Sequence, residues 1–520
     1  MPISSRLSSE PLNVFTSKNW LLFLVAAIHL SAALSHFLLS VVSKYVSRDI
    51  HYGDQACVPA TDSNATLAMC SVAKSNETCQ SISSSEGNTC IWDYTGLGLD
   101  YQLLAGPSFM AVFTTTSILW GLAADRFNRI NLLVWCSSVF SLATILTAFA
   151  TKFWHLVILR MILAAGVAGI GPICPGIIFD AFPEKHRALA MGFFHWGIYL
   201  GGGLSNAIGK TVTDLHIFVQ GWRGTFLSAG IPGIILGLLV FLTGKDPPRI
   251  HKGHEQDFHS HMHHGHATSG CPPPKTNNRT LNNMHVQEED DEDQEDVIEY
   301  ETCEAQVLIE QHHVKYQTAN AIPFSLWKCC LEPPVLMLGI GACIRQAAGY
   351  TWGYNSALYY QTYYPNFDAS WWLTWITIFG GSIGVIFGGF VSDILVSRLG
   401  LSARALVLAV SQVVAFPFAL ATLCYDPPIS FFALLIGYFF AEMWYGVVFA
   451  ILVELLPHEI RSLGMAVALF AINNFGGNVP VIISPLSNAL SYRTALIYLY
   501  PGSLLLSSFL FFMGYLSISK

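Results

Sequence analysis

An all-α membrane protein, with twelve transmembrane helices in two pseudo-symmetric six-helix bundles, is the fold class this chain predicts. Three observations carry that expectation. Of 520 residues 52% are hydrophobic and 12% charged, with a mean hydropathy of +0.47, a balance that does not suit a water-facing surface. Apolar runs long enough to cross about 30 Å of hydrocarbon, roughly 20 residues each, recur along nearly the whole sequence. A long polar stretch then divides six such runs from another six.

The chain opens on a polar segment, 1–18, followed by span 1 at 19–43. That run is too long for the apolar region of a secretory signal and lacks a small-residue cleavage site, so it is expected to remain as a helix. A polar loop, 45–97, leads to spans 2 to 6 at 99–123, 131–150, 154–180, 188–210 and 224–244, which complete a first bundle over 19–244. Residues 245–325 form the polar linker. Spans 7 to 12 follow at 332–358, 371–396, 403–424, 429–455, 463–486 and 494–517, within a second bundle over 326–520.

Orientation follows from lysine and arginine in the short loops. Arg126 and Arg129 follow span 2, Lys185 and Arg187 follow span 4, Arg398 and Arg404 lie between spans 8 and 9, and Arg461 follows span 10. Those loops, both termini and the linker are expected in the cytoplasm, with 45–97 outside or in an organelle lumen. Lys44 and Arg48 run against the rule. The loop itself supports the assignment, because it holds Cys57, Cys70, Cys79 and Cys90 and the sequons "NAT" at Asn64 and "NET" at Asn76. Four clustered cysteines in an oxidising compartment predict two disulfides, with three connectivities open, and the sequons predict glycosylation.

The linker carries "HEQDFHSHMHHGH" at 254–266 and eleven acidic residues between Glu288 and Glu304. Without those acids the formal net charge of −8 becomes +3, so the acidity belongs to a solvated and disordered segment rather than to the membrane body. His259, His261, His263, His264 and His266 have spacings that can bind Zn²⁺, against the simpler reading of a solvated low-complexity tract. A metal path would also need paired His, Asp or Glu one turn apart within the spans. No span shows such a pair, and His29 and His36 in span 1 lie seven apart. Deleting 251–266 is expected to leave transport intact.

"GLAADRFNR" at 121–129 closes span 2. It resembles the loop signature of the major facilitator superfamily, in Gly121, Asp125, Arg126 and Arg129. A degenerate copy, "GGFVSDILVSR", ends span 8 with Asp393. Arg160 with Gly166 in span 4, and Glu454, Pro457 and Arg461 in "ELLPHEIR" after span 10, fit further patterns of that superfamily. Within it the chain resembles the Spinster family of lipid transporters, through "DRFNR" at 125–129, "PGIIFDAFPEKHRALAMGFFHWGIYLGGGLSNAIG" at 175–209 and "DPPR" at 246–249. It differs where that family carries Asp-Arg in the first helix, here Ser35 and His36, and a glutamate in the fourth, here Val167. The resemblance implies gating roles for Asp125, Arg126, Arg129, Asp393, Glu454 and Arg461, at helix ends where ion pairs can hold one state of a rocking pair of bundles, and a structural or gating role for Arg160 inside span 4.

Ionisable groups inside hydrocarbon are costly, so each is a candidate for function. Arg345 in span 7 shares a face with Gly349, Trp352, Ser356 and Tyr359, which fall within about 80° of one another. Such a stripe can hold an anionic head group at Arg345 while Trp352 and Tyr359 cover an apolar body; the structural alternative is an arginine paired with a buried acid. Glu442 in span 10 is the candidate for a coupling proton, or else the partner of Arg345 or Arg160. His195 in span 5 and His36 in span 1 can titrate between about pH 5 and 8, or be plain hydrogen-bonded core residues.

The expected function is secondary active transport of an organic, amphipathic anion by alternating access, with lysolipid or sphingolipid character and proton coupling following from the resemblance and the intramembrane acid. A divalent-metal transporter and a non-transporting membrane receptor are the alternatives. Nothing supports an enzyme: there is no nucleophile elbow, phosphate-cradling loop or zinc-protease helix. No cofactor, resident metal or nucleic-acid partner is expected, and the chain is expected to act as a monomer. "EAQVLI" at 304–309 suits an endosomal or lysosomal membrane, with the plasma membrane the other choice.

Overall fold

The structure is a computed structural model, and it describes residues 18–59, 70, 72–85, 90–182, 184–215, 221–248, 331–456 and 461–519. The N-terminal segment, the histidine and acidic tracts, the sorting signal and Asn64 lie outside the described residues, as do the side chains of Asp125 and Arg461.

Twelve helical stretches follow the predicted order. Span 1 is Lys18–Ile50, and span 2 runs from Leu99–Ala105 into Pro107–Arg126. Span 3 is Arg129–Thr147, span 4 joins Phe153–Val167 to Ile170–Ala181, span 5 is Glu184–Leu215 and span 6 is Gly221–Thr243. Span 7 is Pro333–Tyr363, span 8 ends in Ser382–Leu399, and span 9 is Ser402–Cys424. Span 10 joins Ile429–Glu442 to Trp444–Leu455, span 11 begins as Arg461–Asn478, and span 12 joins Tyr492–Leu499 to Pro501–Ile518. Ten of the twelve are long and apolar enough to cross a membrane; spans 5 and 7 are long helices outside that set. Glycine and histidine dilute the apolar run of span 5, and glycine and tyrosine that of span 7. Leu119, Leu242 and Ile386 are 61%, 67% and 73% exposed, the apolar outer face that a lipid-embedded bundle turns to hydrocarbon.

Small residues set the packing. Gly197 and Gly201 of span 5 lie directly on the backbone of span 1 between Ala26 and Leu34, where any side chain would push the two helices apart. In the second half Ser508 of span 12 donates to the Ala409 carbonyl of span 9 at 2.7 Å.

Span 1 runs seven residues past its predicted end because the loop holds it. Strand β1, Gln55–Pro59, pairs antiparallel with β2, Cys90–Tyr94. Arg48 meets Asp93 at 2.8 Å, and Asp49 meets Arg223 of span 6 at 2.7 Å. Arg48, one of the two cations that ran against the charge rule, is therefore paired locally. Of the three connectivities, Cys57–Cys79 and Cys70–Cys90 are formed, closing separations of 22 and 20 residues. Loops of that size cost an unfolded chain about 3 kcal/mol each in the chain-entropy picture. Reduction is expected to expose the 55–94 region to a protease while leaving the membrane helices protected, read by limited proteolysis. Asn76, the other sequon, is exposed at the start of the short helix Asn76–Ser85.

The halves meet towards the hairpin end. There Tyr101 donates to the Tyr354 carbonyl, and Gln102 donates to Asn355 Oδ1 at 2.8 Å. Gln361 donates to the Val41 carbonyl, and Thr374 to the Gly203 carbonyl, both at 3.0 Å. A further bond, from Tyr199 to Glu442 at 3.2 Å, lies deeper in the bundle. At the opposite end the ion pairs of Arg129 and Arg404 each join helices of one half.

Candidate functional site

At that opposite end each half carries an arginine clamped by two acids. Arg129, 5% exposed, opens span 3. It bonds Asp180 at 2.6 Å from the end of span 4, and its Nε and backbone N–H reach Asp246 at 2.9 and 3.0 Å after span 6. Arg404 opens span 9 and grips both oxygens of Glu454 at 2.9 Å and Asp393 at 2.9 Å. Two-pronged bonds of this kind fix orientation as well as charge. They staple helices within a half rather than joining the halves.

The degenerate motif copy at the end of span 8 supplies Asp393 to the clamp of Arg404, while its Arg398, like Arg126, is exposed. The clamp's signal was present in the sequence as an acid ending span 8, an arginine opening span 9 and an acid ending span 10. Arg129→Ala is expected to lower the melting temperature by several degrees, at about 1.5–3 kcal/mol per charged bond lost. Arg126→Ala is expected to stay within about 0.5 kcal/mol. Thermal unfolding of the purified variants checks both.

Between the ends sits the Arg345 cluster. Span 10 is interrupted at Met443, between the helices ending at Glu442 and beginning at Trp444. Next to that break the Ala441 carbonyl accepts from Arg345 Nη2 at 2.7 Å and from Gln412 Nε2 at 3.3 Å. Arg345 also reaches Glu442 Oε1 at 3.1 Å, with the arginine side chain 3% and the glutamate 12% exposed. Its guanidinium lies 5.1 Å from the Trp444 ring centre, close enough for a cation–π contact. The second carboxylate oxygen of Glu442 accepts from Tyr199 of span 5. A buried cation and anion therefore neutralise each other in the second half while a phenol of the first half holds the anion.

Trp352 and Tyr359 share the face of Arg345, but that face packs within its own half. Trp352 is 4% exposed and stacks on Tyr500 at 4.9 Å; Tyr359 is fully buried and donates to the Leu423 carbonyl at 3.0 Å. Spans 9 and 12 cover them, which a single-helix projection does not show.

Arg160 is 6% exposed and bonds the His36 carbonyl at 2.9 Å and the Leu104 carbonyl at 3.3 Å. It pins spans 1 and 2 to span 4, one turn from the Tyr101 and Gln102 bonds. The His36 ring lies 3.9 Å from Phe109 and 5.9 Å from Tyr354, with its Nδ1 3.4 Å from Arg160. His195 faces His29 and Tyr445, each with ring centres 6.2 Å away. Sequence reasoning missed Tyr199, Gln412, Asp246 and the approach of His29 to His195, since none forms a motif with its partner.

For a metal, the described residues bring together Cys57, Cys70 and Cys90. All three are taken up by the disulfides.

A model of the Major Facilitator Superfamily matches residues 25–485. Protein spinster homolog 3 of Danio rerio is 33% identical over 144 residues, 27% of this chain and 28% of that relative. The sphingosine-1-phosphate transporter SPNS2 of Danio rerio is 29% identical over 144 residues, with the same coverage of 27% and 28%. The probable sulfoacetate transporter SauU of Cupriavidus necator is 32% identical over 155 residues, 30% of this chain and 34% of that relative. The matched stretch thus spans about a third or less of these curated relatives. Among solved structures, an inward-facing, unoccupied bacterial homolog of the human lysosomal transporter Spinster aligns with a TM-score of 0.62, 16% identity and 96% of both chains. The xylose transporter XylE from E. coli in its inward open conformation aligns at 0.58, with 14% identity and 95% of both chains. These likenesses are of fold.

Proposed function

Because this chain belongs to the Major Facilitator Superfamily, we propose that it is a secondary transporter that moves an amphipathic organic anion together with a proton, by alternating access between its two halves. The observation that carries the reading is the Arg345–Glu442 pair, buried beside the break in span 10 and tied to the first half through Tyr199.

The chemistry follows from charge balance. With Glu442 ionised, Arg345 is already neutralised, and an incoming anion must compete with a carboxylate at 3.1 Å. A proton on Glu442 removes that competitor and leaves a buried guanidinium whose uncompensated charge is costly. A carboxylate, phosphate or sulfonate group entering the gap restores neutrality there. Proton and anion load together and leave together, so the site is never strongly charged while the halves rock. The bonds at the hairpin end, Tyr101 to the Tyr354 carbonyl and Gln102 to Asn355, belong to one limiting state. The arginine clamps at the other end keep each half rigid as it moves.

The similarity to proteins called sphingosine-1-phosphate and sulfoacetate transporters supports an anion. The similarity to spinster proteins supports an apolar body attached to it. The hairpin end then faces outside or an organelle lumen, with Asn76 available for glycosylation.

Uptake into proteoliposomes tests this, with sphingosine 1-phosphate, sulfoacetate and Zn²⁺ as separate probes and an imposed pH gradient. Uptake of an anionic probe driven by the gradient and lost in Arg345→Ala is the expected result. Uptake of Zn²⁺ alone, or anion uptake indifferent to the gradient, overturns it.

A further inference from the structure

We infer that His195, with His29 behind it, is the relay by which protons reach Glu442, so that the two bundles form one proton path across their interface. This rests on the reading of Glu442 as the coupling acid and names the groups that serve it.

His29 Nδ1 lies 3.1 Å from the Phe194 carbonyl. A carbonyl only accepts, so His29 donates from Nδ1 and keeps its lone pair on Nε2. Across from it, buried His195 Nδ1 has no hydrogen-bond partner. A buried ring nitrogen left without a partner is costly unless it is used, and the two ring centres are 6.2 Å apart.

The path continues on the same helix. Tyr199 is one turn beyond His195, a spacing that puts side chains about 5–6 Å apart at Cβ, and its hydroxyl donates to Glu442 Oε2 at 3.2 Å. Tyr445, on the span 10 side, faces His195 at 6.2 Å and also faces Glu442. Tyr199 bonds Glu442 and His195 faces Tyr445 across the two halves, and His29, His195, Tyr199 and Glu442 are all partly exposed. Among the described residues the titratable groups facing the line are Arg345 and Tyr350 of span 7, Tyr438 of span 10 and Tyr500 of span 12, with His29 of span 1 facing His195.

Protons balance at each step. His195 takes a proton from the gap and becomes imidazolium. It passes that proton through a water to the Tyr199 oxygen as Tyr199 gives its own to Glu442. Both relay residues end neutral, Glu442 ends as a carboxylic acid, and Arg345 is released. Imidazole is suited to this because one ring nitrogen can take up a proton while the ring gives one up elsewhere.

The experiment uses protons alone as the probe. Full-length protein in liposomes on a solid-supported membrane is given a jump from about pH 8 to about pH 6, across the range where imidazole titrates, and the transient current is recorded. Its total charge reports proton binding and its decay reports the rate. Wild type is expected to give a transient that Glu442→Gln abolishes. His195→Gln is expected to keep the charge but slow the decay about tenfold or more, with added imidazole restoring the rate, which a purely structural role would not allow. Tyr199→Phe keeps the ring packed, removes only the hydroxyl, and is expected to slow the decay without imidazole rescue; it carries the test if His195→Gln does not fold. If Glu442→Gln abolishes the transient while His195→Gln and Tyr199→Phe decay at the wild-type rate, the relay is overturned and the coupling acid stands. If Glu442→Gln retains the full transient, the coupling reading itself has failed and the relay with it.

Discussion

Arg345→Ala is expected to stop anion transport outright and to destabilise the protein, while Arg345→Ala combined with Glu442→Ala recovers most of the stability and none of the transport. Removing one partner of a buried pair leaves the other charge unpaired, at a cost of about 3–5 kcal/mol. Glu442 would keep only the Tyr199 hydroxyl, and the Ala441 carbonyl would keep Gln412. Deleting both partners removes the stranded charge, so most of the loss should return. Transport should not, because the anion's counter-charge is gone. The measurements are thermal unfolding in detergent and uptake of sphingosine 1-phosphate by proteoliposomes. Full uptake by correctly folded Arg345→Ala would remove Arg345 from the binding site. Equal stability of the single and double variants would show that the pair is not coupled as the 3.1 Å contact requires.

The second large effect is expected at Gly106. This residue links the two helical pieces of span 2, and a Cβ built there would lie 2.6 Å from the Gly477 carbonyl oxygen of span 11. The obstacle is backbone, so no rotamer change relieves it. Gly106→Ala should force the halves apart at the hairpin end, at roughly the 1–3 kcal/mol typical of overpacking. That penalty falls only on the state in which the two glycines touch, and about 1.4 kcal/mol is a tenfold change in population. Amide hydrogen exchange should accelerate over 99–106 and 474–482, with little change at the Arg129 and Arg404 clamps. Unchanged exchange at the hairpin end would mean that this contact does not close the protein there.

The membrane class, the positions of the helices and the division into halves were legible because each depends on a property summed along a short stretch. Twenty apolar residues announce a membrane helix whatever lies beside them. The cost of burying a charge likewise marked Arg345, Glu442 and Arg160 singly, and the paired-acid reading of Arg345 was among the alternatives. Their partners were hidden because contact between residues 97 apart, as in Arg345 and Glu442, or 243 apart, as in Tyr199 and Glu442, leaves no periodic trace.

By itself, then, the sequence determined a twelve-run membrane chain with a cysteine-rich loop, a polar linker and isolated charges in apolar helices. The tertiary structure alone decided that Cys57 joins Cys79 and Cys70 joins Cys90, and that Arg404 is clamped between Asp393 and Glu454. It also decided that Trp352 and Tyr359 pack inward against spans 9 and 12, and that His29 faces His195. The physical reason is one of range. Hydrophobic transfer is read residue by residue, whereas an ion pair, a disulfide or a ring contact exists only when two helices pack at one rotation and one depth, and that is settled by the whole bundle at once.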